Sequence, residues 1–128
     1  MEWELLDEIK VLVVEDDLFN RMLIKSLLTK VKNIKVIEAK DGLEALSILD
    51  NTKIDICLLD LHMPTLNGFE TLNIIRNGTT FEDVPVIVIT SDEIEKKKSL
   101  ALGANDFMAK PFDLKRLKSK IYQQLTKS

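Results

Sequence analysis

The feature that most constrains the fold is an alternation of short apolar runs with amphipathic segments, repeated five times along the 128 residues. Residues 11–14 and 86–89 are wholly apolar, which is typical of strands buried on both faces of a parallel sheet. Residues 35–39, 54–59 and 106–109 are predicted to form three more strands. This order predicts a single α/β domain, in which right-handed crossovers join parallel strands and helices cover both faces of the sheet.

A segment with helical spacing of apolar residues follows each predicted strand. The predicted helices span residues 18–31, 42–49, 67 or 68 to 76, 93–102 and 114–125. Asp17 is a candidate N-cap of the first helix, and Asp41 with Glu44 has the spacing of a capping box at the second. Gly103 is the expected C-cap residue of the fourth helix. The first helix carries these apolar residues at helical spacing: Phe19, Met22, Leu23, Leu27 and Leu28.

Composition narrows the classes of function. The chain is long enough for one domain, with a polar leader expected at residues 1–9 and the domain at residues 10–128. A net charge of −3 argues against general attraction to nucleic acid or anionic membranes. The single cysteine, Cys57, cannot form an internal disulfide and is expected to be a buried apolar side chain. Because no signal peptide and no bilayer-length apolar stretch is seen, a cytoplasmic location is expected.

Polar side chains stand where the predicted strands end. Strand one is followed by Glu15 and Asp16, and strand three by Asp60. Strand four is followed by Thr90 and strand five by Lys110. Because the carboxyl ends of parallel strands lie at one edge of the sheet, where α/β proteins bind ligands, these groups are expected to converge there.

A cluster of carboxylates repels itself and favours a bound cation. Oxygen ligands without histidine or cysteine beside them suit Mg²⁺, which keeps some of its waters for a phosphate. A carboxylate beside Mg²⁺ can attack a phosphoryl group and become an aspartyl phosphate, while the metal and a lysine neutralise the transferred oxygens.

Each of these residues also has a simpler interpretation. Taken alone, Glu15 and Asp16 could belong to a solvated loop, and Asp60 could be an ordinary acid at a strand end. Thr90 could cap the following helix, and Lys110 could be a surface lysine. Their joint occurrence in this order is what favours a shared site.

The motifs that carry these residues resemble a known family. They are Val13-Val14-Glu15-Asp16, Asp60-Leu61-His62-Met63-Pro64 with Asn67-Gly68 behind it, Ile89-Thr90-Ser91, and Gly103-Ala104 leading to Lys110-Pro111-Phe112. Together they are similar to the CheY-like receiver domain of bacterial two-component response regulators, from about Lys10 to the C-terminus. The resemblance implies a flavodoxin-like, doubly wound sheet of five parallel strands in the order 2-1-3-4-5 with five helices.

The resemblance also implies a role for each site residue. Asp60 would be the phosphoacceptor. Asp16 and Asp60 would bind Mg²⁺ directly, together with the backbone carbonyl of His62, whereas Glu15 would bind it through water. Lys110 would contact the phosphoryl group.

A second set of residues would carry the response to phosphorylation. Thr90 would be the switch hydroxyl and Phe107 the switch aromatic, although half-buried packing of Phe107 is nearly as well supported. The bond from Lys110 to Pro111 would be cis. Ser91 is larger than the alanine often found at that position in the family and is expected to narrow access to the phosphoryl group. His62 and Asp92 occupy positions that are expected to tune the lifetime of the phosphate. The surface lysines Lys96, Lys97 and Lys98 are expected to form a solvated helix face, with a partner-binding role as the alternative.

The function implied is a signalling switch rather than a metabolic enzyme, with self-catalysed phosphoryl transfer and weak autodephosphorylation. A sensor histidine kinase or phosphotransfer protein would phosphorylate Asp60, and a downstream effector protein or domain would read the altered surface, with no direct contact to nucleic acid or membrane. The alternative is a phosphorylation-independent interaction module of the same fold. A phosphohydrolase is disfavoured because His62 stands where such enzymes place a second aspartate. A flavin carrier is disfavoured because the acids after the first strand would repel the cofactor's phosphate.

Overall fold

A computed structural model describes residues 7–63, 66–78, 81, 83–110 and 113–126. Five strands and five helices alternate along the chain. The strands are β1 (Ile9–Val14), β2 (Ile34–Ala39), β3 (Ile56–Asp60), β4 (Val86–Ile89) and β5 (Asp106–Met108). The helices are α1 (Leu18–Leu28), α2 (Gly42–Asn51), α3 (Gly68–Arg76), α4 (Glu93–Ala101) and α5 (Leu114–Leu125). All strand pairs are parallel and the sheet order is β2-β1-β3-β4-β5, so the predicted topology is confirmed.

The sheet separates two apolar clusters, as expected for helices on both faces. Alternate residues of β1, β3 and β4 point to opposite sides. One cluster unites Leu12 and Leu59 with side chains of α2 and α3, and the other unites Val13 and Leu58 with side chains of α1 and α5. Helix α4 packs against β5. Cys57 is fully buried in the first cluster, as predicted.

Helix ends agree with the capping signals except at α2. The Asp17 side chain accepts from the Asn20 N–H at the start of α1. At α2 the Asp41 side chain accepts from the Glu44 N–H, but Glu44 Oε1 reaches the N–H of Lys40 instead of that of Asp41. The predicted capping box at α2 is therefore only half formed.

A complete capping box lies at α3, where none was predicted from the sequence. There Asn67 and Glu70 each accept from the other's backbone N–H. At the end of α4, Gly103 has a φ of 106°, in the left-handed region that favours glycine after a helix.

Helix α1 is shorter and packs differently than its apolar spacing suggests. It ends at Leu28 rather than residue 31, and its buried side chains are Ile24 and Leu28. The side chains of Phe19 and Met22 are 76% and 57% exposed. Apolar residues occupy several faces of this helix, so spacing alone does not identify the face that packs on the sheet.

Several predictions fall on residues that the structure does not describe. Residues 1–6 of the expected leader, Pro64 of the loop after β3, and Pro111 and Phe112 lie outside the described residues. The cis bond between Lys110 and Pro111 and the leader boundary therefore stay predictions. Among the described residues, none of the helices combines the length and the apolar character that a bilayer crossing requires.

Candidate active site

Three carboxylates meet at the carboxyl edge of the sheet. Strands β1 and β3 pair in parallel with Val14 beside Leu59, so the residues that come next, Glu15 and Asp60, are brought side by side. Asp16 follows in the turn before α1. One carboxylate oxygen from each of the three acids lies within 4.8 Å of the others. Asp60 is the last residue of β3, one position further into the strand than predicted.

Two members of this cluster are buried: Glu15 is 1% exposed and Asp60 is 5% exposed. Burial raises the pKa of Glu15 to about 8, helped by a hydrogen bond with Asp60 and by the charge of that neighbour. The Asp17 N–H, which donates to Glu15 Oε2 at 3.2 Å, and the Lys110 ammonium act in the opposite direction and lower this pKa. Within the described part of the chain, Glu15 Oε1 has no hydrogen-bond partner.

These properties fit a site for a hard divalent cation. A buried carboxylate oxygen without a hydrogen bond is costly unless it shares a proton or faces a cation. Three oxygen donors without sulfur or imidazole match the preference of Mg²⁺. Asp16 is exposed, so a cation held there would stay open to water. The structure thus brings Glu15, Asp16 and Asp60 together in an arrangement able to bind Mg²⁺.

An open cavity of about 440 Å³ lies over Asp60. Its lining comes from the loops after β3, β4 and β5 together with α4: Asp60, His62, Ile89, Thr90, Ser91, Asp92, Glu95 and Lys110. Thr90 is buried, whereas Lys110 is exposed and its Nζ lies 3.7 Å from Glu15 Oε1. The cavity combines a nucleophilic carboxylate, a hydroxyl and an ammonium, which are the groups that phosphoryl transfer to an aspartate uses.

The backbone of the loop after β3 passes close to Asp60. The His62 N–H donates to Asp60 Oδ1 at 3.3 Å. The His62 ring points the other way, and its Nε2 lies 2.8 Å from the Glu95 carboxylate. This places the residue beside the acids through its backbone, while the role of its carbonyl as a metal ligand stays a prediction.

The hydrogen-bond partners of Thr90 were not predicted from the sequence. Its hydroxyl donates to Glu95 Oε1 at 2.8 Å and accepts from the Asp92 N–H at 3.1 Å. The simpler interpretation of Thr90 as the helix cap is not what the structure shows, because Asp92 is the N-cap of α4 and accepts from the N–H groups of Ile94 and Glu95. No signal in the sequence distinguishes Glu95 from other acids on a helix surface.

Ser91 joins the loops that carry Thr90 and Lys110. Its hydroxyl accepts from the Lys110 N–H at 3.1 Å and lies 3.3 Å from the Lys110 carbonyl oxygen, to which it donates. Its position in the cavity lining is compatible with the expected narrowing of access. The hydrogen bonds between the Ser91 hydroxyl and the Lys110 backbone were not predicted from the sequence, because they depend on how the fold brings the two loops together.

Phe107 is the middle residue of β5, half-buried between two lysines. The Lys96 Nζ is 3.7 Å from the centre of the Phe107 ring, and the Lys120 Nζ is 5.2 Å from it. Lys120 also bonds to Asp106 at 3.0 Å. Lys96 is therefore packed on an aromatic ring and is not part of a purely solvated face.

Comparison with known proteins finds a matching family model and similar curated proteins. Residues 11–122 match the family model described as the response regulator receiver domain. The chain is 35% identical over 115 residues to a chemotaxis protein CheY homologue of Campylobacter jejuni, a match that covers 88% of each protein. It is 39% identical over 121 residues to the transcriptional regulatory protein CpxR of Escherichia coli, covering 93% of the chain but 50% of that longer protein.

Solved structures of similar proteins share the fold described above. The receiver domain of a sensor histidine kinase from Pseudomonas aeruginosa superimposes with a TM-score of 0.84 at 27% identity, covering 91% of this chain and 96% of that one. That structure holds a magnesium ion coordinated in its active site cleft. The chemotaxis protein CheY4 of Vibrio cholerae also superimposes with a TM-score of 0.84, at 28% identity and with 91% and 98% of the two chains covered.

Proposed function

Because this chain belongs to the CheY-like receiver domain family of two-component response regulators, we propose that it accepts a phosphoryl group on Asp60 from a sensor histidine kinase or a phosphotransfer protein. The family consists of signalling switches, and the proposal adds the acceptor residue and the donor. The observation that supports it best is the meeting of Glu15, Asp16 and Asp60, with one carboxylate oxygen of each within 4.8 Å of the others.

The proposed cofactor is Mg²⁺. Asp16 and Asp60 would hold it directly with the His62 carbonyl, and Glu15 would hold it through water. When bound, the metal supplies positive charge against the oxygens of the transferred group. The buried Glu15 Oε1, which has no hydrogen-bond partner among the described residues, supports this assignment because a nearby cation would compensate its charge.

The chemistry proposed for the chain's own residues is nucleophilic. An oxygen of ionised Asp60 attacks phosphorus, a new O–P bond forms, and the bond from phosphorus to the donor nitrogen breaks with its electron pair leaving on the donor. The Lys110 ammonium neutralises charge on the transferred oxygens.

The proposed output is a change of surface. Thr90 and Lys110 would bind the phosphoryl oxygens better in one of two conformations, which shifts the equilibrium between them. Rotation of Phe107, which is adjacent to Val88 in the sheet register, would carry that change to the surface between α4 and α5. A downstream effector protein or domain would then bind or dissociate.

Phosphorylation by acetyl phosphate tests the proposal. Intact mass spectra with Mg²⁺ should show one added phosphoryl group on the wild type and none after Asp60→Asn or with EDTA. Asp41→Asn is the matched control: it also removes one carboxylate near the carboxyl edge, and asparagine still caps α2. It should be phosphorylated like the wild type.

A negative result has two meanings that beryllofluoride separates. Binding of beryllofluoride without a mass adduct would indicate rapid hydrolysis and keep the proposal. Neither adduct nor beryllofluoride binding would contradict it and favour the phosphorylation-independent interaction module of the same fold.

A further inference from the structure

The hydroxyl of Thr90 is already engaged in this structure. It donates to Glu95 Oε1 at 2.8 Å, a distance typical of a well-formed O–H···O hydrogen bond. It also accepts from the Asp92 N–H at 3.1 Å, which fixes its orientation. Thr90 is 5% exposed, so water does not readily replace these partners.

A second contact holds the Glu95 carboxylate in place. His62, in the loop that follows Asp60, has its Nε2 2.8 Å from the Glu95 carboxylate. The Glu95 backbone N–H in turn donates to the Asp92 side chain at the start of α4. Glu95 thus connects the loop after the acceptor aspartate with the loop after β4, across the mouth of the cavity over Asp60.

The hydrogen bond that Thr90 donates to Glu95 excludes a hydrogen bond from the same hydroxyl to a phosphoryl group. A threonine hydroxyl has a single proton to donate. While that proton points to Glu95, it is not available to a phosphoryl oxygen on Asp60. The Glu95 carboxylate and the phosphoryl group are also both anionic, so their proximity at the same cavity is unfavourable.

We propose that Glu95 is a latch that competes with the Asp60 phosphoryl group for the hydroxyl of Thr90 and thereby stabilises the unphosphorylated conformation. The proposal rests on the proposed function of Asp60 and deepens it by naming what phosphorylation must displace. Release of Glu95 frees the hydroxyl, breaks the contact with His62 and lets the first turn of α4 move.

Beryllofluoride affinity measures the latch without any catalytic step. Wild type, Glu95→Ala and Glu95→Gln are titrated with beryllium chloride in excess fluoride and Mg²⁺ at fixed pH, and the amide NMR signal of Thr90 is followed. Loss of the latch should tighten binding by roughly threefold to tenfold, the value expected for one competing hydrogen bond. Glutamine keeps an acceptor oxygen for Thr90 but has no charge, so Glu95→Gln should lie between wild type and Glu95→Ala.

Glu93→Gln is the matched control. Glu93 lies in the same first turn of α4, and its side chain is 80% exposed, in contact with Lys96 at 3.7 Å and not with Thr90. The substitution removes the same charge from the same helix end and should leave the beryllofluoride affinity within about twofold of wild type. Thermal unfolding of each variant checks that α4 remains folded.

Each result decides the proposal. The order wild type, Glu95→Gln, Glu95→Ala in increasing affinity, with Glu93→Gln equal to wild type, supports the latch. Equal affinity of wild type and Glu95→Ala overturns the latch while leaving the phosphoacceptor role of Asp60 intact. Equal tightening by Glu95→Gln and Glu93→Gln also overturns it, because general charge would then explain the effect. A wild type that binds no beryllofluoride overturns the latch together with the proposed function.

Discussion

Replacing Glu15 by glutamine should change how the stability of the metal-free protein depends on pH. The pKa of Glu15 is raised from 4.5 to about 8 because the carboxyl is buried beside Asp60. Between these two values the folded protein holds a proton that the unfolded chain has released. The free energy of unfolding therefore falls as pH rises through this window, with a limiting slope of about 1.4 kcal/mol per pH unit for one proton.

The size of the effect follows from that slope. Between pH 6 and pH 7.5, where the slope is close to its limit, Glu15 should remove about 2 kcal/mol of stability. Glu15→Gln keeps the shape and resembles the protonated carboxyl, so this loss should vanish. The measurement is urea unfolding in EDTA at several pH values, with the difference between wild type and variant plotted against pH.

The control is a glutamate with the opposite shift. Hydrogen bonding to Lys25 and Arg21 lowers the pKa of Glu38, so its stabilising contribution is already complete above its unfolded value of 4.5. The difference between wild type and Glu38→Gln should therefore be flat from pH 6 to pH 8. A difference between wild type and Glu15→Gln that is equally flat would refute the reasoning, because it would mean that Glu15 holds no extra proton in the folded state.

Two substitutions test side-chain packing away from the acidic cluster. Lys96→Met should lower the free energy of unfolding by about 1 kcal/mol, because the contact between the ammonium and the Phe107 ring is lost. Lys97→Met on the exposed face should change it by less than about 0.5 kcal/mol, and both values are measured by urea unfolding at neutral pH. Equal effects of the two substitutions would show that the ring contact contributes nothing. Gly103→Ala should lower the free energy of unfolding by at least about 1 kcal/mol, because φ is 106° and an added Cβ would lie 2.8 Å from the Arg76 Cγ. A thermal unfolding midpoint equal to that of the wild type would contradict this prediction.

The fold and the convergence of the site were predictable because both depend on local patterns and one rule of topology. Buried runs and helical spacing locate the elements, and parallel strands bring their carboxyl ends to one edge. Glu15 and Asp60 follow neighbouring positions in the register of β1 and β3, so their proximity needs no further information. The strand order came from family resemblance, since periodicity does not give it.

Side-chain partners across elements were not predictable in the same way. In the sequence, Glu95 looks like any acidic residue on the surface of a helix. Its contacts with Thr90 and His62 exist because α4 begins close to the loop after β3. The sequence predicts a solvated surface position for Lys96, whereas in the structure the Phe107 ring of β5 lies beneath its ammonium. Phe19 shows the converse, an apolar residue at helical spacing that stays exposed because α1 uses another face.

The central claim is that Asp60 itself becomes phosphorylated. Treating the protein with acetyl phosphate and Mg²⁺, reducing the acyl phosphate with borohydride and sequencing the peptides by mass spectrometry locates the modified residue. The account predicts a single reduction product, at Asp60, that disappears when EDTA is present. A product at another acid, such as Glu15 or Asp16, or the same yield without Mg²⁺, would contradict it.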